Sequence, residues 1–138
     1  ARPYIEPRDS LNDDYPLVLI IGRLVTHFNT RTRTGRVPNL NAIAPDNFVD
    51  IHPDDAARYR VSSGEEVIVN SRTGTVRGQA VISDRVKAGT IYMNMHYGSA
   101  LWVDEGRLAN LATSKRYDIH SKQPEFKYNA VNISPVTP

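Results

Sequence analysis

The stretch that decides the fold is Pro16-Leu-Val-Leu-Ile-Ile-Gly22, which runs directly into Arg23-Leu-Val-Thr-His-Phe-Asn-Thr-Arg-Thr-Arg-Thr-Gly35. A short continuous apolar run that stops at a glycine predicts a β-strand buried on both faces. The segment that follows, residues 23–40, is rich in Thr, Arg, Asn and Gly. A long connection of this composition in a small domain predicts a loop that binds a ligand.

Further strands are predicted at 48–51, 66–70, 75–82, 90–95 and 128–133, and a hairpin at 72–74. Pro53 suits the first position of a short helix over 53–59, and Asp54 and Asp55 suit the positive end of its dipole. Residues 96–123 are irregular, with one helical turn. We therefore predict a mainly β protein, a small β-barrel with one or two short helices.

The composition predicts one globular domain. The chain has 138 residues, of which 40% are hydrophobic and 23% charged. Residues 1–14 are interpreted as a linker or N-terminal arm and residues 15–138 as the domain. The chain begins with Ala1 rather than Met, which favours a piece of a longer protein. We expect it in the cytoplasm, with the periplasm as the alternative.

The absence of cysteine excludes disulfides, thiolate-held zinc, iron–sulfur clusters and a cysteine nucleophile within this chain. No apolar run has the length of a membrane-spanning helix, so we expect no membrane insertion. The four histidines have no metal-ligand spacing, and no serine lies in a nucleophile-elbow pattern. We therefore predict no catalytic residue and no metal ligand in the chain.

The charge is unevenly spread although its net value is only +2. Residues 15–45 contain no Asp or Glu but four arginines, and residues 85–103 are also free of acids. Arginine matches phosphate oxygens with a planar fork, and threonine hydroxyls add donors, so the loop has the composition of a pyrophosphate-binding segment. A solvated loop without a ligand is an equally good interpretation from composition alone. The segment is not a P-loop and lacks a dinucleotide fingerprint.

Two more groups are weaker candidates for ligand contacts. His96 and Tyr97 follow a predicted strand and could lie at the mouth of a pocket, although ordinary packing is the commoner role for such residues. Asn110, Lys122 and Lys127 could contact phosphate or carbonyl oxygens, although such residues usually lie on the surface.

Several short blocks occur together in one order: Gly22-Arg23, His27, Thr30-Arg-Thr-Arg-Thr-Gly35, Phe48-Val-Asp-Ile-His-Pro-Asp-Asp-Ala56, Val69-Asn-Ser-Arg-Thr-Gly74, Thr90-Ile-Tyr-Met93, His96-Tyr-Gly98, Ala109-Asn110 and Ser121-Lys-Gln-Pro-Glu-Phe-Lys127. Taken together they resemble the molybdopterin-guanine-dinucleotide-binding C-terminal domain of the dimethyl-sulfoxide-reductase family. The resemblance covers residues 15–133 and is greatest to the assimilatory nitrate reductase and formate dehydrogenase branches.

The resemblance implies a double-psi β-barrel of the aspartate-decarboxylase-like type. It also implies that the chain binds the guanine-dinucleotide part of a bis-molybdopterin cofactor that carries molybdenum or tungsten. Carried over by position, the cofactor-binding residues are Gly22, Arg23, Leu24, His27, Asn29, Thr30, Arg31, Met95, His96, Asn110, Phe126 and Lys127.

The protein ligand of the metal has no counterpart in this sequence, so the chain is not expected to be catalytic alone. The expected partners are upstream catalytic domains of the same enzyme or a separate catalytic subunit, and any 4Fe-4S cluster belongs to those domains. Two positions depart from the family pattern. His52 stands where Asn or Ser often caps the helix, and Asn94-Met95 replaces a more usual Pro-aromatic pair.

Other classes stay open at this stage. A nucleic-acid-binding β-barrel could use the Arg/Thr loop, but aromatic residues are only 8% and do not alternate along a strand. A self-processing aspartate decarboxylase would need a Gly-Ser cleavage site, and Gly98-Ser99 is the one such pair. A stand-alone pterin-binding subunit cannot be distinguished from a fragment by sequence.

Overall fold

A computed structural model describes residues 6–7, 9–98 and 105–136 of the chain. In the described part there are six strands and two α-helices. The strands are β1 Leu17–Gly22, β2 Phe48–Ile51, β3 Glu66–Ser71, β4 Thr75–Ile82, β5 Thr90–Asn94 and β6 Asn129–Pro135, and the helices are α1 Pro38–Ile43 and α2 Pro53–Tyr59. Three 3₁₀ turns lie at Thr34–Arg36, Glu105–Arg107 and Ala109–Ala112.

The six strands close into one barrel in the order β1-β5-β2-β4-β3-β6, with β6 pairing back onto β1. The pairs β1–β5 and β2–β4 are parallel, and the other four pairs are antiparallel. This topology confirms the predicted double-psi β-barrel with short helices. A closed barrel leaves no strand edge unpaired, so the sheet needs no second layer to satisfy its backbone groups.

The interior of the barrel is filled by alternate residues of each strand, because successive side chains of a strand point to opposite faces. Those with at most 1% of their surface exposed include Leu17, Leu19, Ile21, Val49, Ile51, Val67, Val69, Val76, Ile91, Met93 and Val131. We predicted that β1 would be buried on both faces. Its inner face is fully buried, but Val18 and Ile20 on the outer face are only half-buried.

Gly78 allows the barrel to close tightly at β4. A Cβ atom at this position would lie 2.8 Å from Val49 Cγ2 and 3.0 Å from Asn47 O. Because the second of these atoms belongs to the backbone, the sheet itself would have to move to accept a side chain.

Two helix starts follow from local sequence. Helix α2 begins after His52, whose Nδ1 accepts a hydrogen bond from Asp54 N at 3.2 Å, so the ring serves as the cap that Asn or Ser would supply. Helix α1 begins inside the segment predicted as a loop, residues 23–40, and continues beyond it to Ile43. Its signal was Pro38, which takes the first helical position after an extended Val37.

Asp9, in the described part of the predicted arm, contacts the barrel at two places. Its carboxylate accepts a hydrogen bond from Ala130 N at 2.7 Å and forms an ion pair with Arg72. The boundary between residues 14 and 15 remains a prediction. Among the described residues, no helix combines the length and the apolar character needed to span a bilayer.

Replacing Gly78 by valine is expected to lower the free energy of unfolding by about 1–3 kcal/mol, because the interior is overpacked at a point where the backbone blocks relaxation. Urea denaturation followed by circular dichroism measures the change. The control is Arg77→Val, the same new side chain on the exposed face of the same strand. Equal stability of the two variants would contradict the close packing at Gly78.

Candidate functional site

One end of the barrel gathers all the residues predicted as cofactor contacts. The strand registers put the carboxyl ends of β1, β3 and β5 at this end, together with the starts of β2, β4 and β6. Gly22 ends β1 and residues 23–31 follow it, residues 95 and 96 follow β5, and residues 126 and 127 precede β6. Asn110 lies in the 3₁₀ turn Ala109–Ala112, which packs against the β3–β4 hairpin at the same end. The contact includes a hydrogen bond that Thr73 Oγ1 of the hairpin donates to Leu111 O of the turn.

Tyr92, on β5, explains why β1 ends in a glycine. A Cβ atom at Gly22 would lie 2.5 Å from the Tyr92 hydroxyl oxygen, so only glycine lets the ring lie across the strand end. The hydroxyl then donates a hydrogen bond to Arg23 O at 2.9 Å. The space beside Gly22 therefore holds the tyrosine ring.

His96 fastens the loop that follows β1, residues 23–36, which we call the β1 loop. Its ring is 2% exposed, and its Nε2 accepts a hydrogen bond from Leu24 N at 2.8 Å. The proton therefore sits on Nδ1, which donates to Asn29 O. Burial lowers the pKa of His96, and the nearby charges of Arg23 and Arg31 act in the same direction, while the hydrogen bond to Asn29 opposes it.

His27 fastens the same loop from the other side. Its Nε2 donates to Ala44 O at 3.2 Å, and its Nδ1 accepts from Thr34 Oγ1 at 3.1 Å. Tyr97 also donates to Ala44 O, at 2.7 Å, and burial raises the pKa of its hydroxyl to about 12. The two histidine rings meet edge to face, 6.0 Å between centroids.

Arg31 is the buried cation of this cluster, with 5% of its surface exposed. Its guanidinium donates to Asn41 Oδ1 at 2.8 Å and lies 4.5 Å from the centre of the Tyr97 ring. The β1 loop is thus tied to α1 as well as to the barrel. Asn29 and Arg31 both have positive φ angles, 45° and 64°, so the loop makes two sharp turns where it is held.

Most of the other predicted contacts are less buried than this cluster. Arg23, Asn29 and Thr30 are exposed. Phe126 and Lys127 lie against the end of β1, since Ile21 N donates to Phe126 O at 2.7 Å and Lys127 Nζ donates to Ile21 O at 2.8 Å. Of the predicted contacts, Gly22, His27, Arg31 and His96 are buried, Leu24, Met95 and Phe126 are partly buried, and the others are exposed. The polar atoms of His27, Arg31 and His96 hold the loop in shape.

A groove beside Arg23, with a volume of about 540 Å³, lies on the outer wall of the barrel. Its lining includes Thr26, Asp50, Arg85, Tyr92 and Asn94. Asn94 is 1% exposed, and neither its Oδ1 nor the buried Oγ1 of Thr26 has a hydrogen-bond partner in the described part of the chain. Buried polar atoms without partners are costly, so these atoms fit a polar ligand such as a dinucleotide.

Sequence reasoning missed Asp50, Tyr92 and Arg85 in this groove, and noted Asn94 only as a departure from a pattern. The signal was present in the alternation of Phe48-Val-Asp-Ile51 and Thr90-Ile-Tyr-Met-Asn94, which puts the polar residues of both strands on the outer face. A second cavity, of about 300 Å³, is lined by Arg31, Tyr97 and Arg107, among others.

The described residues contain no group of three His, Asp or Glu side chains placed to hold a metal ion. Ser99, the second residue of the Gly-Ser pair that a self-processing decarboxylase would use, lies outside the described residues.

The fold is a double-psi β-barrel, and one end of it carries a loop of fixed shape that contains exposed and buried arginines. The family model described as Molydopterin dinucleotide binding domain matches residues 17–130. The chain belongs to this family, and it is a molybdopterin-dinucleotide-binding domain.

Similar proteins fall in the expected branches. F420-dependent formate dehydrogenase 2 subunit alpha of Methanococcus maripaludis is 33% identical over 96% of this chain. The nitrate reductase of Symbiobacterium thermophilum and formate dehydrogenase H of Escherichia coli are each 35% identical, also over 96% of the chain. The chain spans 19%, 17% and 18% of these three relatives, respectively.

Acetylene hydratase from Pelobacter acetylenicus has the same fold, with a TM-score of 0.72 at 19% identity, over 87% of this chain and 18% of that one. Neither the family match nor these relatives support a nucleic-acid-binding barrel.

Protonation of His96 should loosen the β1 loop, because a charged ring cannot accept from Leu24 N. The lowered pKa sets the sign: the contribution of His96 to stability is complete above its usual pKa of 6.5 and is lost as the pH falls through the lowered value. Urea denaturation of the chain across this pH range measures the loss.

Two substitutions of His96 sharpen the test. His96→Ala should cost about 2–3 kcal/mol at neutral pH, since two backbone groups lose their partners. His96→Gln should keep most of the stability and lose part of the pH dependence, because an amide can accept and donate at the same places. His120→Ala, at an exposed histidine, is the control. If the stability of the wild type and of all three variants depends on pH in the same way, His96 does not have this role.

Proposed function

We propose that the chain holds the guanine-dinucleotide part of a bis-molybdopterin cofactor, as the C-terminal domain or small subunit of a molybdenum or tungsten oxidoreductase of the nitrate reductase or formate dehydrogenase type. The observation that carries the proposal is the gathering of the predicted contact positions at one barrel end, within a chain whose family binds a molybdopterin dinucleotide. The similarity to two formate dehydrogenases and a nitrate reductase supports the type of enzyme.

The exposed residues of the β1 loop are the direct binders in this proposal. Arg23 can pair its guanidinium with phosphate oxygens, and Thr30 and Asn29 add hydrogen-bonding groups beside it. Leu24, Met95 and Phe126 contribute apolar surface, while Asn110 and Lys127 supply a polar edge and a positive charge. Gly22 keeps the loop close to the barrel by admitting the Tyr92 ring.

The buried residues act through the loop. His27 and His96 keep its backbone in one conformation, and so lower the entropy cost of binding. The Arg31 guanidinium is held 4.5 Å from the centre of the Tyr97 ring, where it adds a fixed positive charge behind the phosphate-binding surface. When bound, the cofactor supplies the redox chemistry of its metal ion, and the chain supplies position and electrostatic tuning.

The remaining machinery of the enzyme lies elsewhere in this proposal. The chain spans under a fifth of the relatives named above, and those relatives leave room for the catalytic domains. A metal ligand, and any 4Fe-4S cluster, would come from such domains of the same polypeptide or from a separate catalytic subunit.

Arg23→Ala in the intact protein should lower cofactor retention about tenfold or more, since one charge-assisted contact to phosphate is lost. Mass spectrometry of bound molybdenum and tungsten measures retention, together with the guanine nucleotide released by acid. Circular dichroism should show an unchanged fold.

Arg36→Ala, at an exposed arginine of the same loop that is outside the predicted contact set, is the matched control. Wild-type metal and nucleotide content in Arg23→Ala would refute the role of Arg23. A wild-type protein that releases neither pterin nor guanine nucleotide would refute the proposed function itself.

A further inference from the structure

The groove beside Arg23 on the outer wall of the barrel, which we call the outer groove, lies on one face of the β2–β5 pair. In the antiparallel register Asp50 lies opposite Tyr92, and Val49 lies opposite Met93. Val49 and Met93 point into the barrel core, so Phe48, Asp50, Tyr92 and Asn94 share the outer face. The segments after β1 and after β4 rise on either side of this face and make it a groove.

Three oxygen-bearing side chains along the groove, Asp50, Asn94 and Thr26, have unused hydrogen-bonding positions in the described part of the chain. The Asp50 side chain is 15% exposed and has one ion pair, with Arg85 at 3.0 Å. Burial raises the pKa of Asp50, and Arg85 only partly offsets this effect. A carboxylate has roughly four acceptor positions, so most of its capacity is unused. Asn94 Oδ1 and Thr26 Oγ1 add two buried oxygens without described partners.

The remaining walls are flat or apolar. Phe48, Val81 and Val86 line the groove beside the Tyr92 ring, and Arg23 and Arg85 stand at its sides. A complementary ligand is therefore a flat ring that presents adjacent N–H donors on one edge and carries an anionic group. A carboxylate receives two such donors in parallel, the geometry that makes paired hydrogen bonds strong and selective.

We propose that the outer groove binds a 2-amino-4-oxopyrimidine ring, which guanine and pterin share. The ring N–H and the exocyclic amine donate to the Asp50 carboxylate, and the amine also donates to Asn94 Oδ1. Arg23 meets the phosphate attached to that ring system. This inference rests on the proposed function and adds to it the place where one ring of the cofactor is recognised. Adenine presents an acceptor nitrogen on the corresponding edge and is rejected.

Calorimetric titration of the intact protein, purified without cofactor, tests the edge recognition. The probes are guanosine monophosphate, adenosine monophosphate and 6-hydroxymethylpterin. We expect the guanine or the pterin compound to bind at least tenfold more tightly than the adenine compound. Preference for the pterin assigns the groove to the pterin end of the cofactor, and preference for the guanine compound assigns it to the nucleotide end. Equal binding of the adenine compound, or binding of neither of the other two, overturns the proposal.

Two variants test the residues. Asp50→Asn should weaken binding of the preferred probe about tenfold or more, because a charged acceptor becomes a group that also donates. Asp13→Asn, at an exposed carboxylate before β1, should leave it unchanged. Unchanged binding in Asp50→Asn counts against the groove.

The variant Asn94→Leu tests whether Asn94 recognises the ligand or stabilises the fold. Removing a buried carbonyl without a partner should leave the urea midpoint equal or higher while binding of the probe weakens. Parallel losses of stability and binding would show a structural role instead. The wild-type holoenzyme could release pterin and guanine nucleotide while Asp50→Asn and Asn94→Leu both bind the probes normally. In that case the groove is not the site that binds the ring, and the proposed function stands.

Discussion

The site depends on one side chain, the neutral imidazole of His96, which joins two parts of the β1 loop that are five residues apart. Its unprotonated nitrogen receives the Leu24 amide, and its protonated nitrogen reaches the Asn29 carbonyl. Because His96 follows β5 and the loop follows β1, the parallel pairing of these two strands sets the position of the loop. The conformation of the loop is therefore fixed by the barrel, and its exposed groups are held in place before any ligand arrives.

Binding and support are divided between different residues of the same short sequence. Exposed groups such as Arg23 and Thr30 alternate with buried groups such as His27 and Arg31, and the buried ones form hydrogen bonds within the protein. A preorganised loop loses less conformational entropy on binding than a flexible one. The arrangement suits a domain that holds a large charged cofactor.

The strands were predictable because the local signals agreed with the final fold. The run before Gly22 and the alternation in β2 and β4 gave the strands to within a residue or two, and Pro53 with its two aspartates marked α2. Helix α1 was missed because its composition resembles that of the loop around it, and only Pro38 indicated its start. Strand order was not accessible from local patterns, since a closed sheet is decided by contacts far apart in the sequence.

The site was predictable in its location but not in its detail. The resemblance pointed to the segments that meet at one barrel end, but it did not distinguish an arginine that faces solvent from one that is stacked on Tyr97. The outer groove escaped notice because Asp50 and Tyr92 are 42 positions apart and become neighbours only through the register of β2 and β5. Cross-strand neighbours of this kind have no signature in a single sequence.

The pairing of β1 with β6 has a consequence for biosynthesis. The first strand of the barrel finds one of its two neighbours only in the last strand, with Leu17 opposite Val131. During translation, the sheet stays open until nearly the entire domain has left the ribosome, and a pairing of such long range is slow to form. The barrel end that carries the β1 loop therefore reaches its final shape only after β6 has been synthesised and has paired with β1.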